Sequence, residues 1–416
     1  MAKVKIIGEQ PLHGAINISG AKNSALPILA AAVLLDGESI ISNVPQLTDI
    51  TTMVRMLRSI NILAEQSGGK IRIVNKKQVK HLIPYELVTK MRASFFIAGP
   101  ILAKVGMVRV PMPGGCAIGS RPVDIHLKGF QALGAVVSLE HGFIEIRCKK
   151  LKGGQVNFPF PSVGATENIM MAATLAEGVT TIANAAREPE IVDLADLLNE
   201  AGANISGAGS STIVITGVSA LHGVKHAVIP DRIEAGTMLL AGLITRGQIT
   251  VNNVRPADIS ALLSVLSETG ARFEIENNSI TAALGARWRG AQVVTQPYPG
   301  FPTDMQAQLM AYLALAEGAS TVRETIFENR FMHIGELQRM GARIRAEERT
   351  AIIEGVAGLS GAEVKATDLR AGAALWLAGL AAQGETTIYG VEHIERGYEK
   401  LTEKLSALGA RIKRIN

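Results

Sequence analysis

Apolar and β-branched positions along the 416-residue chain recur in one fixed order. Short segments that open with Gly and run into alternating β-branched residues appear at Gly37 (GESII), Gly106 (GMVRV), Gly178 (GVTTI), Gly247 (GQITV), Gly318 (GASTV) and Gly384 (GETTI). Alternation of this kind predicts half-buried strands. An Ala/Leu-rich stretch of helical period precedes each of these glycines, as in NIMMAATLAE, TMLLAGLITR, MQAQLMAYLALAE and AALWLAGLAAQ. After each strand comes a stretch such as DLADLLNEAGA or ISALLSVLSETGA, apolar at i, i+3 and i+4 and ending in Gly, where a left-handed C-cap is wanted. This second glycine, followed by Ala, stands at Gly134, Gly202, Gly270, Gly341 and Gly409, whereas the first unit carries SINI at Ser59 to Ile62 instead. One or two further strands close each unit, so the predicted order is helix, strand, helix, strand, strand.

Steps of 66 to 72 residues between the first landmarks are too long for a simple solenoid and suit a compact α/β module. The repeats therefore predict two globular domains of three modules each. The longest apolar runs, Ala25 to Leu35 and Ala374 to Ala382, fall short of the ~20 residues that a membrane span needs and read as buried helices. The start, MAKVKIIGEQ, has no long apolar stretch and no small-residue cleavage site, so a cytoplasmic protein with no membrane partner is expected.

Composition removes other classes. With 47% hydrophobic and 19% charged residues, disorder is excluded. A net charge of +5, spread among acidic residues, with only 2 Trp, 5 Tyr and 10 Phe, argues weakly for anionic ligands and against a nucleic-acid partner. Cys116 and Cys148 are too few for a disulfide framework and lack metal-site spacing. Polar residues collect in the turns before the Ala-rich helices: Lys22 and Asn23, Arg92, Ser162 with Glu167, Arg232 with Glu234, Asp304, and Asp368 with Arg370. Free N–H groups at helix N-termini suit anions, so modules that face each other would form one charged cleft.

The strongest local feature is VPMPGGCAIGSRPVD, Val110 to Asp124. Its Pro and Gly density predicts a loop, and a loop of this length is often an active-site lid. Cys116, near Arg121 and among flexible glycines, is expected to be exposed and reactive, as an acid or a nucleophile. Cys148, in the strand-like FIEIRC, is expected to be a small buried hydrophobe.

This loop, GAKNSALPILAA, MRAS at Met91 to Ser94, SVGAT at Ser162 to Thr166, AREPEIVDLA, YPGFPTDMQAQ, ENRFMHIGEL and ERGYEKL together resemble the UDP-N-acetylglucosamine enolpyruvyl transferase family over essentially the whole chain. The resemblance implies an inside-out α/β barrel of two domains, each of three βαβαββ units, with the site in the cleft between them. It assigns residues 21–229 to one domain, which carries the mobile 111–125 loop, and 1–20 plus 230–416 to the other. The implied reaction moves the enolpyruvyl group of phosphoenolpyruvate to the 3′-hydroxyl of UDP-N-acetylglucosamine, releases phosphate and needs no metal or organic cofactor. By the same resemblance Cys116 is the acid and the atom alkylated by fosfomycin, and Asp304 is the base, a role compatible with a helix N-cap. Lys22, Asn23, Arg121 and Arg396 meet phosphoenolpyruvate, with Lys22 and Arg396 counted as catalytic. Asn23, Arg92, Arg121, Pro122, Val123, Asp124, Ile125, Ser162, Val163, Asp304 and Ile326 meet the nucleotide sugar. Glu188, Arg232, Arg330, Asp368 and Leu369 match further cleft positions.

Two positions depart from the family pattern. Thr48 stands where many relatives carry Lys, and Phe160 with Pro161 where some carry Lys beside the uridine pocket; both replacements remove positive charge. The sibling enzyme that acts on shikimate 3-phosphate shares the fold but would not be expected to carry PGGCAIG. A non-catalytic nucleotide-sugar-binding regulator should have lost the acid, the base or the basic cluster, all of which are present here.

Overall fold

The computed structural model describes residues 3–75, 78–89, 91–112 and 123–415. Of the loop singled out above, residues 113–122 lie outside the described residues, and with them Cys116, Arg121 and Pro122. Among the described residues the chain falls into two compact units, one formed by 3–19 with 230–415 and the other by 20–112 with 123–229. Each unit has its own hydrophobic core.

Both units are inside-out α/β structures, with helices at the centre and sheets around them. In the first, the helices Arg232–Ile244, Gln306–Leu313 and Leu369–Ala381 pack on one another. Most of their residues are buried on every face, which is why their sequences are apolar all round instead of amphipathic. In the second, Lys22–Ala31, Ala98–Val105 and Val163–Ala173 take the same place. Their small residues allow close approach: a Cβ added at Gly99 would come within 2.3 Å of the Asn168 carbonyl oxygen, and the Gly99 N–H donates to Asn168 Oδ1 at 2.7 Å.

Every predicted landmark strand is present: Leu35–Ser42, Met107–Pro111, Val179–Ala183, Gln248–Asn252, Ala319–Arg323 and Glu385–Tyr389. Each lies in a different sheet; the first five pair antiparallel with one strand of a following hairpin, as Val179–Ala183 does with Thr212–Thr216, whereas Glu385–Tyr389 takes Lys3–Ile7 from the chain start in that place. Five also take a short parallel partner, and the sixth, Met107–Pro111, keeps only the bridge from Leu82 to Arg109. The chain start joins late modules: Lys3–Ile7 sits between Glu385–Tyr389 and Arg411–Ile415, while His13–Asn17 pairs with Gln248–Asn252.

The glycine landmarks mark left-handed backbone, with one informative exchange. Gly178 and Gly318 have φ of 87° and 88°, a region Gly enters without steric cost. In the fourth module Arg246 adopts φ 56° instead, and Gly247 is needed for space, since a Cβ there would stand 2.0 Å from the Leu12 carbonyl oxygen. In the first module Asn61, with φ 72°, takes the turn that Gly makes elsewhere; Asn tolerates this conformation better than most residues.

Two expectations are corrected. The run from Ala25 to Leu35 is not one helix: the helix ends at Ala31, and Leu35 opens a strand, paired in parallel with Leu221. Cys148 lies one residue past the strand Phe143–Arg147, is only half-buried, and its thiol meets the Lys150 carbonyl at 2.9 Å. Among the described residues no helix is long and apolar enough to cross a membrane.

Candidate active site

In the unit that contains residues 230–415, the predicted polar positions converge on Asp304. This residue lies in the 3-10 turn Thr303–Met305, ahead of Gln306–Leu313. Its side chain does not cap that turn, contrary to the N-cap role expected for it. Its two oxygens instead meet guanidinium groups, Oδ1 accepting from Arg330 Nη2 at 2.8 Å and Oδ2 from Arg370 Nη2 at 2.7 Å. Burial pushes the carboxyl pKa up, but Arg370 and then Arg330 outweigh it and hold it well below the usual carboxylate range. Asp304 is therefore an ionised acceptor, and its remaining lone pairs can take a hydroxyl donor.

Arg370 is placed by its helix. Asp368 caps Leu369–Ala381 by accepting from the backbone N–H of Arg370 at 2.9 Å and Ala371 at 3.0 Å, a role that also explains why Asp precedes this apolar run. The Arg370 side chain donates through Nη1 to the Tyr398 hydroxyl at 3.3 Å, and that hydroxyl also meets Thr237 at 2.9 Å and Gln308 Nε2 at 3.2 Å. Tyr398 lies two residues beyond Arg396, which is half-buried in the turn after Val391–Ile394. Glu324 fixes the next stretch: its Oε1 accepts from Ile326 N at 2.8 Å and Phe327 N at 3.1 Å. Arg232 opens the helix Arg232–Ile244, which Asp231 caps, and stacks on Tyr298 at 5.6 Å. Leu369, the first residue of its own helix, is half-buried.

His333, buried near Arg330 and Asp368, carries an Nε2 with no hydrogen-bond partner among the described residues. Burial pushes its pKa down to about 4, Asp368 opposing and Arg330 reinforcing the shift. The unfolded chain, near 6.5, then binds more protons than the native one across this range, so stability is lost as pH falls from about 6.5 to about 4. The loss should amount to about 3 kcal/mol. Buried Glu167, whose raised pKa acts with the opposite sign, titrates in both proteins, so the term is read as a difference: the melting temperature of the unaltered protein relative to His333→Gln should fall as pH drops from about 6.5 to about 4, and a difference that does not change with pH would contradict the assignment.

The other unit carries the remaining described positions. Lys22 and Asn23 open the helix Lys22–Ala31 and are half-buried, and Lys22 Nζ lies 3.5 Å from Asp49 Oδ2. Ser162 caps Val163–Ala173 by accepting from the Ala165 N–H at 3.4 Å. One turn on, Glu167 is fully buried, and neither of its carboxylate oxygens has a hydrogen-bond partner among the described residues. Burial, then Glu190, then Glu188 raise its pKa well above the ordinary value, which favours the protonated carboxyl. Glu188 precedes Pro189–Glu200 and accepts from the Arg187 N–H at 2.9 Å. Arg92 opens the 3-10 segment Arg92–Ile97, its side chain lying outside the described residues. Val123 precedes the helix that Asp124, exposed, and Ile125, half-buried, begin. Thr48 is exposed at the first position of Thr48–Ser59, and Phe160 is 40% exposed.

Sequence reasoning missed Tyr398 and Glu324 as organisers of the Asp304 cluster, although Tyr398 lies inside the quoted ERGYEKL.

A family model described as EPSP synthase (3-phosphoshikimate 1-carboxyvinyltransferase) matches residues 6–405. A UDP-N-acetylglucosamine 1-carboxyvinyltransferase 1 from Caldanaerobacter subterraneus subsp. tengcongensis is 54% identical over 415 residues, covering 99% of this chain and 100% of that protein. A UDP-N-acetylglucosamine 1-carboxyvinyltransferase 2 from Carboxydothermus hydrogenoformans is 54% identical over 418 residues, covering all of both. Among solved structures, the enolpyruvyl transferase NikO from Streptomyces tendae superposes with a TM-score of 0.90 at 25% identity, over 99% of this chain and 98% of its own. With relatives of this identity along its full length, the chain belongs to the enolpyruvyl transferase family that the EPSP synthase model describes.

Proposed function

We propose that the protein transfers the enolpyruvyl group of phosphoenolpyruvate to the 3′-hydroxyl of UDP-N-acetylglucosamine, the first committed step of peptidoglycan synthesis. The observation that carries this reading is the end-to-end match at 54% identity to proteins named for that acceptor. As an enzyme that draws on two phosphorylated metabolites, we assign it to the cytoplasm.

The chemistry is an addition followed by an elimination. A proton reaches the methylene carbon while the sugar oxygen attacks the neighbouring carbon; phosphate then leaves, and loss of a methyl proton restores the vinyl group. One acid and one base are needed, on opposite reactants. Cys116 supplies the proton in this reading, and its thiol is the group that fosfomycin would alkylate. Asp304 orients the hydroxyl and receives its proton. A carboxylate held well below its usual pKa is a weak base, so it completes the transfer only as charge leaves the attacking oxygen or as a guanidinium loosens its hold. Lys22, Arg121 and Arg396 bind the carboxylate and phosphate of phosphoenolpyruvate, anions that guanidinium forks and a Lys point charge match well. Asn23, Arg92, Ser162 and Ile326 hold the nucleotide sugar.

Phosphate release measured with phosphoenolpyruvate and either UDP-N-acetylglucosamine or shikimate 3-phosphate tests the reading. Release is expected with the nucleotide sugar alone. Release only with shikimate 3-phosphate would transfer the assignment to the sibling reaction, and release with neither would favour a binding protein.

A further inference from the structure

The helix that presents Lys22 and Asn23 starts without a side-chain cap on Ala21 and without an acidic residue in its first turn. Its placement therefore depends on other contacts, because an uncapped first turn frays readily. Those contacts form a closed ring. The Ala21 N–H donates to the Ile229 carbonyl at 2.7 Å. The Ile229 N–H donates to Asp193 Oδ2 at 3.2 Å, and the same oxygen accepts the hydroxyl of Ser24, the third residue of the helix. Ser24 is wholly buried and Asp193 is 3% exposed. One carboxylate oxygen thus fixes both the entry of the chain into the helix and its first turn.

The other oxygen is held in turn. Asp193 Oδ1 meets His226 Nε2 at 3.0 Å, and His226 Nδ1 meets Glu200 Oε2 at 3.0 Å. Asp193 and Glu200 lie on the helix Pro189–Glu200, while His226 lies on Lys225–Ala227, the strand paired in parallel with Leu35–Ser42. A neutral imidazole can donate from only one nitrogen, whereas here both face carboxylates. Burial opposes protonation, but Asp193 and Glu200 outweigh it and raise the imidazole pKa. The result is a chain of contacts from Ser24 through Asp193 and His226, all three buried, to the exposed Glu200, tied to two elements other than the one it aligns. A network whose members are all satisfied specifies one arrangement more sharply than apolar packing does.

We propose that Asp193, reached through Ser24 and oriented by His226, is a positioning residue that sets the Lys22 and Asn23 end of the helix against phosphoenolpyruvate. The proposal rests on the reaction assigned above. Kinetics of Ser24→Ala, His226→Ala and His226→Gln should be compared with the unaltered protein, with each substrate varied in turn. Ser24→Ala removes one hydroxyl and no apolar contact of size. It should raise the KM for phosphoenolpyruvate about 3- to 10-fold, the range that loss of one hydrogen bond corresponds to, with kcat within about twofold. His226→Ala should do the same, and His226→Gln, which restores a donor toward Asp193, should return the KM toward its original value.

A structural role alone would lower the melting temperature without this split and without rescue. Unchanged phosphoenolpyruvate KM in Ser24→Ala, beside a fully active parent protein, overturns the proposal, as does equal impairment by both His226 variants. If His226→Ala fails to fold, Ser24→Ala decides alone. Absence of turnover by the parent protein with UDP-N-acetylglucosamine would instead overturn the assigned reaction, and the positioning role would fall with it.

Discussion

Asp304→Ala is expected to lower kcat by about 10²- to 10⁴-fold, the usual worth of a positioned acid or base, and to destabilise the protein as well. The two losses have separate origins. Arg330 and Arg370 have side chains only 3% and 8% exposed, and each spends a donor on the Asp304 carboxylate. Without it, two largely buried guanidinium groups are left facing each other, a kind of loss that typically costs about 3–5 kcal/mol. Asp304→Asn divides the effects. The amide oxygen still accepts from one guanidinium, so the melting temperature should fall less than in the Ala variant, whereas the negative charge that receives the hydroxyl proton is gone and turnover should fall as far. Phosphate release and thermal denaturation on both variants check this, and near-normal turnover by Asp304→Asn would remove the residue from the chemistry. The pH dependence has a definite sign. A carboxylate whose native pKa is depressed contributes stability above its unfolded pKa and loses it only as pH falls through the native value. Because Asp304 lies well below the usual range, weak acid leaves it ionised, and between about 6.5 and 4 it is the contribution of His333, not of Asp304, that falls away.

The repeat was legible because two kinds of glycine recur in phase, and each has a local cause, a left-handed backbone or the close approach of another chain segment. Arg246 and Asn61 show the limit of that reading. Both adopt the conformation that Gly adopts in sister modules, so the turn survives where its signature residue does not. The break at Ala31 was hidden for a related reason. The run from Ala25 to Leu35 is apolar throughout because helix, turn and strand are all buried there, and hydrophobicity alone cannot distinguish buried elements.

Site residues inside dense motifs were readable one at a time, but their partnerships were not. Asp304 meets Arg330 and Arg370, which are 26 and 66 positions away, and Asp193 meets His226 across 33. Such pairs exist only once the modules have folded. Their separations follow no helix or strand period, and so no local pattern announces them.

Cys116→Ala is expected to abolish or severely depress turnover while leaving the melting temperature close to that of the parent. The flanks of the loop are anchored without it: Met107–Pro111 is paired along its length with Phe143–Arg147, and Asp124–Ala132 packs on the central helix Val163–Ala173. A methyl group offers no proton to the methylene carbon, so the loss should fall on the chemical step and appear in kcat. Cys116→Asp tests whether the requirement is for an acid or for sulfur. A carboxyl group can donate the same proton, but only while it is protonated, and its ordinary pKa lies several units below that of a thiol. Activity should therefore persist and decline with rising pH from a lower pH than in the parent. Fosfomycin separates the two further. Opening its epoxide forms a carbon–sulfur bond, breaks a carbon–oxygen bond and leaves an oxygen that takes up a proton, so the thiolate is the reacting group. The parent should lose activity irreversibly on treatment and Cys116→Asp should retain it. Undiminished turnover by Cys116→Ala would place the acid on another residue, and drug inactivation of Cys116→Asp that tracks the parent would place the alkylated group elsewhere.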